Sequence, residues 1–241
     1  MSTQRSTRRR GVRAEVPVTQ EAIVEAAFRL IEEKGASGFS MRAVASELGV
    51  FPATLYWHVG DRARLLGLVE QQWVSVVQMP DEISNPREWL MEVGRRYRRQ
   101  AHLHPNVARM VVVERARNTE ALAIPDAVLG RMEELGFGSD LVHAYNAVVG
   151  AVQGFIVLEL AMVAEPTSQS AESTEEELRS LDPVRFPNLT RHFDQLADRA
   201  LSLRWSDSVQ RPLDDSFEFL LKVLLDGVEA QRSANGAPRP D

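Results

Sequence analysis

Ser40–Val59, SMRAVASELGVFPATLYWHV, is the stretch that decides the fold. It predicts a short helix, a tight turn at Gly49 and a second short helix. Ala45 is small where the two helices must approach closely, and Gly49 provides a turn conformation with positive φ that favours glycine. Leu55 completes a small core between the helices. The spacing predicts a helix-turn-helix, and the alternative is an ordinary helical hairpin with some surface aromatic residues.

The second helix of this motif carries more aromatic and polar groups than packing requires. Its hydroxyl, phenol, indole and imidazole side chains suit the phosphates and base edges of a DNA major groove. Phe51 is the expected N-cap, although it lacks a side-chain acceptor, which costs about 1 kcal/mol relative to serine. An exposed Phe51 could pack against a thymine methyl group. It could equally pack against the first or second helix of the domain.

Two segments resemble a known family. LGVFPATLYWHV followed by GDRARLL resembles the recognition helix and the start of helix 4 in the tetracycline-repressor (TetR) family of transcriptional regulators. FEFLLKVLLDGVEA (Phe217–Ala230) is similar to the last helix of the tetracycline-repressor-like C-terminal domain. One departure is Phe51, where the family often has serine or threonine. The resemblance implies an all-α protein with an N-terminal three-helix helix-turn-helix domain and a larger helical domain for ligand binding and dimerisation.

The resemblance also implies a set of DNA contacts. Tyr56, His58 and Arg62 are expected to position phosphates, and Thr54 could bind a phosphate or a base. Arg42 could reach guanine O6 and N7 with its guanidinium fork. The complete set of expected DNA-binding residues is Ser40, Met41, Arg42, Phe51, Pro52, Ala53, Thr54, Tyr56, Trp57, His58 and Arg62.

Composition agrees with a soluble globular protein. Of the 241 residues, 44% are hydrophobic and 26% are charged, and the absence of cysteine excludes disulfides and thiolate chemistry. The net charge of −6 is uneven, since residues 1–62 carry +2 and the remainder carries −8. This asymmetry would hold the acidic part away from DNA phosphates. The polar, arginine-rich N-terminus does not resemble a secretory signal, and we expect a cytoplasmic protein.

The pattern along the chain predicts four parts. Residues 1–16 form a disordered basic arm, which is either a solvated tail or a segment that follows phosphates or the minor groove. Residues 17–77 form the helix-turn-helix domain, 80–232 the effector-binding and dimerisation domain, and 233–241 a disordered tail. Helices are expected at 19–35, 40–48, 52–59, 61–79, 87–102, 106–117, 125–135, 139–165, 189–203 and 213–230, with a Ser/Thr/Glu/Pro-rich loop at 166–187.

No catalytic motif is present. Glycine-rich phosphate loops, nucleophile elbows and paired-histidine zinc helices are all missing. His102 and His104 lie two residues apart, so they point to different helix faces and are interpreted as surface residues rather than metal ligands. The apolar run 147–164 is interrupted by Gln153 and Glu159, which favours a buried helix over a membrane span. We expect no enzymatic activity, cofactor, metal or membrane contact.

By resemblance, a pocket lies inside the C-terminal domain between helix 4 and the helices that follow. The expected wall is apolar apart from one phenol, which favours a hydrophobic, weakly polar effector, although each of these side chains could instead fill the core. The candidate effector-binding residues are Trp73, Trp89, Val93, Tyr97, Met110, Phe155, Leu158 and Met162.

The resemblance implies a homodimer as well. The helices at 139–165 and 213–230 are more apolar than one core requires, and they are expected to meet their symmetry mates, with Gly154 and Leu221 at the interface. A twofold dimer requires a palindromic double-stranded DNA operator. The predicted function is therefore a ligand-responsive transcriptional regulator that acts as a repressor released by a small molecule. The alternative is an architectural or constitutive DNA-binding protein without an effector.

Overall fold

The computed structural model describes residues 18–114, 122–161, 171–201, 203–204 and 212–235. Within these ranges the chain is all-α and contains no strand. Asp140 ends a short 3₁₀ turn that begins at Gly138. The helices are α1 (Gln20–Gly38), α2 (Met41–Leu48), α3 (Pro52–Val59), α4 (Arg62–Ser75), α5 (Pro86–Leu103), α6 (Pro105–Glu114), α7 (Ala123–Glu134), α8 (Leu141–Leu160), α9 (Ala171–Arg179), α10 (Pro187–Arg191), α11 (Phe193–Leu196) and α12 (Asp214–Asn235).

Side-chain caps set the starts of the N-terminal helices. The hydroxyl of Thr19 accepts a hydrogen bond from the Ala22 N–H at 3.2 Å, so α1 begins where the sequence predicts. Gly35, with a φ of 66°, interrupts α1, and a short continuation reaches Gly38. α4 is shorter than predicted. It ends at Ser75 rather than Met79, since the chain turns there and the Val77 N–H donates to the Val74 carbonyl at 2.9 Å.

α5 is the central helix of the larger, C-terminal part of the chain. This helix packs against α6, α7, α8 and α12, and α12 also packs against α8. Two arginines of α5, Arg87 and Arg95, form ion pairs with α12. Arg95 forms a bidentate pair with Glu218 at 2.6 and 2.7 Å, and Arg87 contacts Asp226 at 2.5 Å and Glu229 at 3.0 Å. These pairs set the axial register of the two helices.

α1 docks on α6 through polar contacts and one ring pair. Asn106, at the start of α6, donates its side-chain N–H to the carbonyl of Glu32 at 2.7 Å. The Glu32 carboxylate in turn accepts the Val107 N–H at 3.2 Å, which caps the N-terminus of α6. The rings of Phe28 and His104 meet edge to face with centroids 4.9 Å apart. One apolar cluster is continuous from α1–α4 into α5, α6, α8 and α12.

The region after α8 differs from the sequence prediction. The predicted loop at 166–187 contains α9, where Arg179 pairs with Glu175 one turn earlier at 3.0 Å and so favours a helix. The predicted helix at 189–203 is broken into α10 and α11, and the chain then turns at Asp198, with a φ of 55°. α12 continues to Asn235, beyond the predicted end and into the predicted tail. Residues 1–17, which include the whole predicted arm, lie outside the described residues, and so do residues 236–241 of the predicted tail.

α8 is buried on one face only. Val148, Val152 and Ile156 face the protomer core, whereas Val142 and Leu158 are exposed. The outer apolar side of this helix is therefore uncovered in the single chain, and its coverage by a symmetry mate stays a prediction. Gly138–Leu160 is long and apolar enough to cross a membrane, but core helices of soluble proteins share that property. Here the helix packs against α5, α6, α7 and α12.

Candidate functional site

The α2–turn–α3 unit has the predicted helix-turn-helix geometry. The Ser40 hydroxyl caps α2 by accepting the Ala43 N–H at 3.1 Å. Gly49 closes α2 in the left-handed conformation, with φ 68° and ψ 29°, and the Val50 N–H reaches back to the Ala45 carbonyl at 2.9 Å. Leu55, on the inner face of α3, is fully buried. This geometry fixes the angle at which α3 projects from the domain.

α3 presents large apolar side chains to solvent. Phe51 is 82% exposed and Trp57 is 85% exposed, and Tyr56 is 53% exposed. Phe51 occupies the N-cap position with no side-chain hydrogen bond, as the sequence predicts. Its exposure removes the alternative in which it packs against α1 or α2. His58 lies beside Trp57 with ring centroids 5.0 Å apart, edge to face.

Most of the expected DNA-binding residues have side chains at the protein surface, on α3 or on the segments that flank it. Those that are exposed or half-buried are Ser40, Arg42, Phe51, Pro52, Ala53, Thr54, Tyr56, Trp57, His58 and Arg62. Met41 is the exception, because it is buried in the core and its side chain cannot reach a ligand outside the domain. Arg62 packs its guanidinium 4.9 Å from the ring centroid of Phe39, next to this surface.

A second candidate site is a cavity of about 740 Å³ between α4, α5, α6, α7, α8 and α12. Its wall is mainly aliphatic, with a carboxylate from Glu70, phenols from Tyr97 and Tyr145, and an amide from Gln153. The Gln153 amide lies 3.5 Å from the Tyr97 hydroxyl, so two polar groups converge from α8 and α5. A large apolar cavity with a few convergent polar groups is typical of a small-molecule site.

The cavity wall differs from the predicted one. Val93 and Tyr97 line the cavity, but the other described candidates do not. Trp73 is buried behind Tyr97, with ring centroids 4.9 Å apart. Leu158 is 57% exposed on the outer face of α8. Helical periodicity identifies inward-facing positions but does not separate a cavity wall from solid core.

The other predicted effector-binding residues that the structure describes are also absent from the cavity wall because they pack elsewhere. Trp89 is buried with the Arg131 guanidinium 5.3 Å from its ring centroid, and Met110 is buried in the core. Phe155 packs against Phe217 with ring centroids 5.5 Å apart. Met162 lies outside the described residues. Glu70, Tyr145 and Gln153 were missed as wall residues, although Gln153 is visible in the sequence as a polar interruption of an apolar helix.

Glu159 is the most buried ionisable group among the described residues, with no exposed surface. Its carboxylate accepts two hydrogen bonds from Arg98, both at 2.8 Å, and one from the Leu213 N–H at 2.7 Å. His102 Nε2 lies 3.0 Å from the same carboxylate, and Arg98 also binds Asp214 at 2.7 Å. The network joins α5 and α8 to the start of α12.

His102 and His104 are not simple surface residues. His102 is half-buried against Glu159, and His104 packs against Phe28, so both histidines join helices. The prediction that both histidines are surface residues is therefore wrong, because each is half-buried in a contact between helices. Among the described residues, no group of His, Asp and Glu side chains could hold a metal ion.

The Glu159 network predicts a pH dependence of stability. Burial by itself raises the pKa of Glu159, but hydrogen bonds from Arg98, His102 and the Leu213 N–H outweigh burial and lower the pKa from 4.5 to about 2. A lowered pKa stabilises the folded protein above pH 4.5 and loses that stabilisation as the pH falls towards 2. We expect the free energy of unfolding to fall by about 3 kcal/mol over this interval from Glu159 alone.

Urea unfolding at a series of pH values measures this dependence. The exposed carboxylates titrate in both the wild type and an Arg98→Met variant, so the difference between the two proteins isolates the buried pair. A wild-type curve parallel to that of Arg98→Met between pH 5 and pH 2.5 would contradict the prediction.

Comparison with known proteins identifies the family. Residues 23–68 match the family described as bacterial regulatory proteins, tetR family, and residues 80–232 match the tetracyclin repressor-like C-terminal domain. An HTH-type transcriptional regulator of Saccharopolyspora erythraea is 28% identical over 179 residues, covering 73% of this chain and 75% of that protein. The HTH-type transcriptional repressor DrrR1 of Streptomyces coeruleorubidus is 29% identical over 252 residues, covering 96% of this chain and 86% of that protein.

A solved structure shows the same architecture. The TetR family protein ActR of Streptomyces coelicolor, in complex with (S)-DNPA, superposes with a TM-score of 0.68 at 25% identity, covering 90% of this chain and 99% of that one. The all-α fold with a projecting helix-turn-helix therefore defines a DNA-binding transcriptional regulator. The chain belongs to the tetracycline-repressor (TetR) family.

Proposed function

We propose that this protein is a cytoplasmic, ligand-responsive repressor that binds a palindromic operator as a homodimer and is released by a small hydrophobic effector. The observation that carries the proposal is the cavity, whose wall includes α4. α4 follows directly on α3, so a ligand in the cavity touches the helix that holds the DNA-facing surface. A ligand changes DNA affinity only through different affinities for two conformations of the protein.

Relatives support the regulatory part of the proposal. One relative is named a transcriptional repressor, and ActR has been solved with bound (S)-DNPA. The alternative is a constitutive or architectural DNA-binding protein. Such a protein has no use for a 740 Å³ cavity that reaches α4, which is why we favour the ligand-responsive function.

A selection experiment tests DNA binding directly. The full-length protein is incubated with a pool of random-sequence duplexes, and the bound duplexes are amplified and sequenced over several rounds. We expect enrichment of one inverted repeat, with its half-sites about one helical turn apart or a multiple of it. Enrichment of no sequence, or of a single non-repeated site, would contradict the proposed function.

Arg42 provides the first prediction about sequence readout. It is exposed on α2 beside α3, where a guanidinium fork can bind O6 and N7 of guanine. Arg42→Ala is expected to weaken binding to the selected operator by about 1–3 kcal/mol and to relax preference at one base pair of each half-site. Fluorescence anisotropy with single-base-pair variants measures this. Equal weakening on all duplexes would instead make Arg42 a phosphate contact.

The cavity provides a prediction about ligand binding. Val149 lines the cavity on α8, whereas Val184 is exposed in the turn between α9 and α10. We expect the neutral apolar dye N-phenyl-1-naphthylamine to bind the wild type and to bind Val149→Trp at least about tenfold more weakly, because the indole fills the space. Val184→Trp is the control and should bind the dye as the wild type does, because Val184 is 88% exposed and lies outside both the cavity wall and the proposed interface. Equal binding by all three proteins would show that the dye does not enter the cavity.

The proposed dimer uses the outer faces of α8 and α12. The exposed apolar and small residues on these faces are Val142, Gly150, Gly154 and Leu158 on α8, and Phe219, Val223 and Gly227 on α12. Exposed apolar patches on a soluble protein commonly mark interfaces. Leu221, which the sequence placed at the interface, lies inside the protomer against Gly94 and lines the cavity. A charged substitution at Gly154 therefore tests the proposed dimer, whereas a substitution at Leu221 would disturb the core of the single chain.

A further inference from the structure

α3 lacks the side chains that usually read bases. Its sequence, PATLYWHV, contains no Arg, Lys, Asn, Gln, Asp or Glu. Those are the side chains that form bidentate contacts with guanine or adenine, or accept a hydrogen bond from cytosine. If α3 lies in the major groove, most of its discrimination between bases must come from other kinds of contact.

The outward face of α3 is apolar. Leu55 and Val59 are buried, which orients the opposite side of the helix towards solvent. Ala53 and Trp57 lie one turn apart on that opposite side, and both are exposed. Phe51 precedes the helix as its N-cap, where it makes no capping hydrogen bond and its side chain is 82% exposed. The outward face of α3 therefore presents a methyl group and an indole, and an exposed phenyl ring stands at the start of the helix.

Only one base-edge group in the major groove is apolar, namely the C5-methyl group of thymine. We infer that Phe51 and Trp57 recognise thymine methyl groups, so that α3 reads its half-site mainly through T·A pairs. This inference rests on the proposed binding of α3 in the major groove and adds the base identity that it reads. Polar readout then falls to Arg42 on α2 and to Thr54 and His58, which are half-buried beside the apolar face.

The helix-turn-helix geometry, with an arginine on each flanking helix, favours DNA over a protein as the occupant of this face. The described part of α2, α3 and the turn around them carries Arg42 and Arg62 at the edges of the apolar face, with Glu47 and Asp61 as the acidic residues. The arginines can bind phosphates on either side of a groove while the rings contact base edges between them. The phenyl ring of Phe51 is 82% exposed and stands at a position where serine would cap the helix, so neither burial nor capping accounts for it.

Removal of single methyl groups from the selected operator tests the inference. Each thymine is replaced by deoxyuridine in symmetric pairs, which deletes the C5-methyl group and leaves base pairing unchanged. We expect one or two positions in each half-site to lose about three- to tenfold in affinity, since a buried methyl contributes about this factor. At those positions, a C·G pair that carries 5-methylcytosine should bind more tightly than unmethylated C·G.

Protein variants assign the contacts to residues. Phe51→Ser and Trp57→Ala should each abolish the uridine penalty at one position while leaving the penalty at other positions unchanged. Both residues are exposed, and serine restores a helix cap, so circular dichroism melts should match the wild type. Val184, which is 88% exposed and lies between α9 and α10, provides the control, and Val184→Ser should retain the complete wild-type profile.

The outcomes separate this inference from the proposed function. An enriched operator whose affinity changes less than twofold at every uridine substitution would overturn the thymine readout and leave operator binding intact. A penalty that persists in both Phe51→Ser and Trp57→Ala would also overturn it. Failure to enrich any duplex would overturn the proposed function together with this inference.

Discussion

Glu159→Ala is expected to lower the free energy of unfolding by about 3–5 kcal/mol, a large share of the stability of a typical domain. The substitution removes the carboxylate that accepts both Arg98 hydrogen bonds and leaves that guanidinium buried without its main counter-charge. It also frees the Leu213 N–H, which Glu159 accepts at 2.7 Å. Urea unfolding followed by circular dichroism gives the change directly.

An exposed pair provides the control for this prediction. Glu175→Ala removes an ion pair with Arg179 on the surface of α9, and its expected effect is below about 0.5 kcal/mol. Glu159→Gln should fall between the two, because the amide keeps the shape but supplies a weaker acceptor for Arg98. A loss below about 1 kcal/mol for Glu159→Ala would mean that water or a rearranged Asp214 compensates Arg98.

Gly154→Glu is expected to convert the dimer into a monomer and to weaken operator binding by at least about a hundredfold. Gly154 is exposed on α8, and a side chain there meets nothing in its own protomer. The glutamate therefore does not disturb the protomer but would bury an unpaired charge between two α8 helices. Light scattering measures the mass, and anisotropy with the selected operator measures the affinity.

Gly130 provides a matched substitution. It lies on α7, is also exposed in a helix and also has open space around its position. Gly130→Glu introduces the same residue and the same charge away from the proposed interface, and it should leave both mass and affinity unchanged. A dimeric Gly154→Glu protein that retains wild-type affinity would place the dimer interface elsewhere.

The helix-turn-helix could be predicted in detail because its determinants are local. The caps at Thr19, Ser40 and Asp61 and the turn at Gly49 each depend on a few adjacent residues, and all four occur in the structure. The sequence leaves open whether Phe51 packs against α1 or α2, and only the structure shows that its side chain is 82% exposed. Met41 is among the expected DNA contacts by resemblance, but its side chain is buried, because resemblance identifies a position whereas burial depends on helix phase.

The cavity and the buried ion network could not be derived in the same way. Which inward-facing residues line a void depends on how α5, α7, α8 and α12 diverge, and that divergence is set by contacts between residues far apart in sequence. Glu159 was recognised as an interruption of an apolar helix, but its partner Arg98 lies 61 residues earlier. An acidic residue in such a helix indicates a buried counter-charge without indicating where the counter-charge is.

The docking of α1 on α6 has a consequence for engineering. Glu32 caps α6, and Asn106 binds the Glu32 carbonyl, so the helix-turn-helix domain is held partly by contacts from the larger domain. A hybrid regulator that joins residues 18–77 of this protein to the sensor half of another family member would lose both contacts unless the donor supplies equivalents. If Asn106 and the first turn of α6 are introduced into the second protein together with residues 18–77, both contacts to Glu32 are kept. This defines which residues such a hybrid must take from each parent.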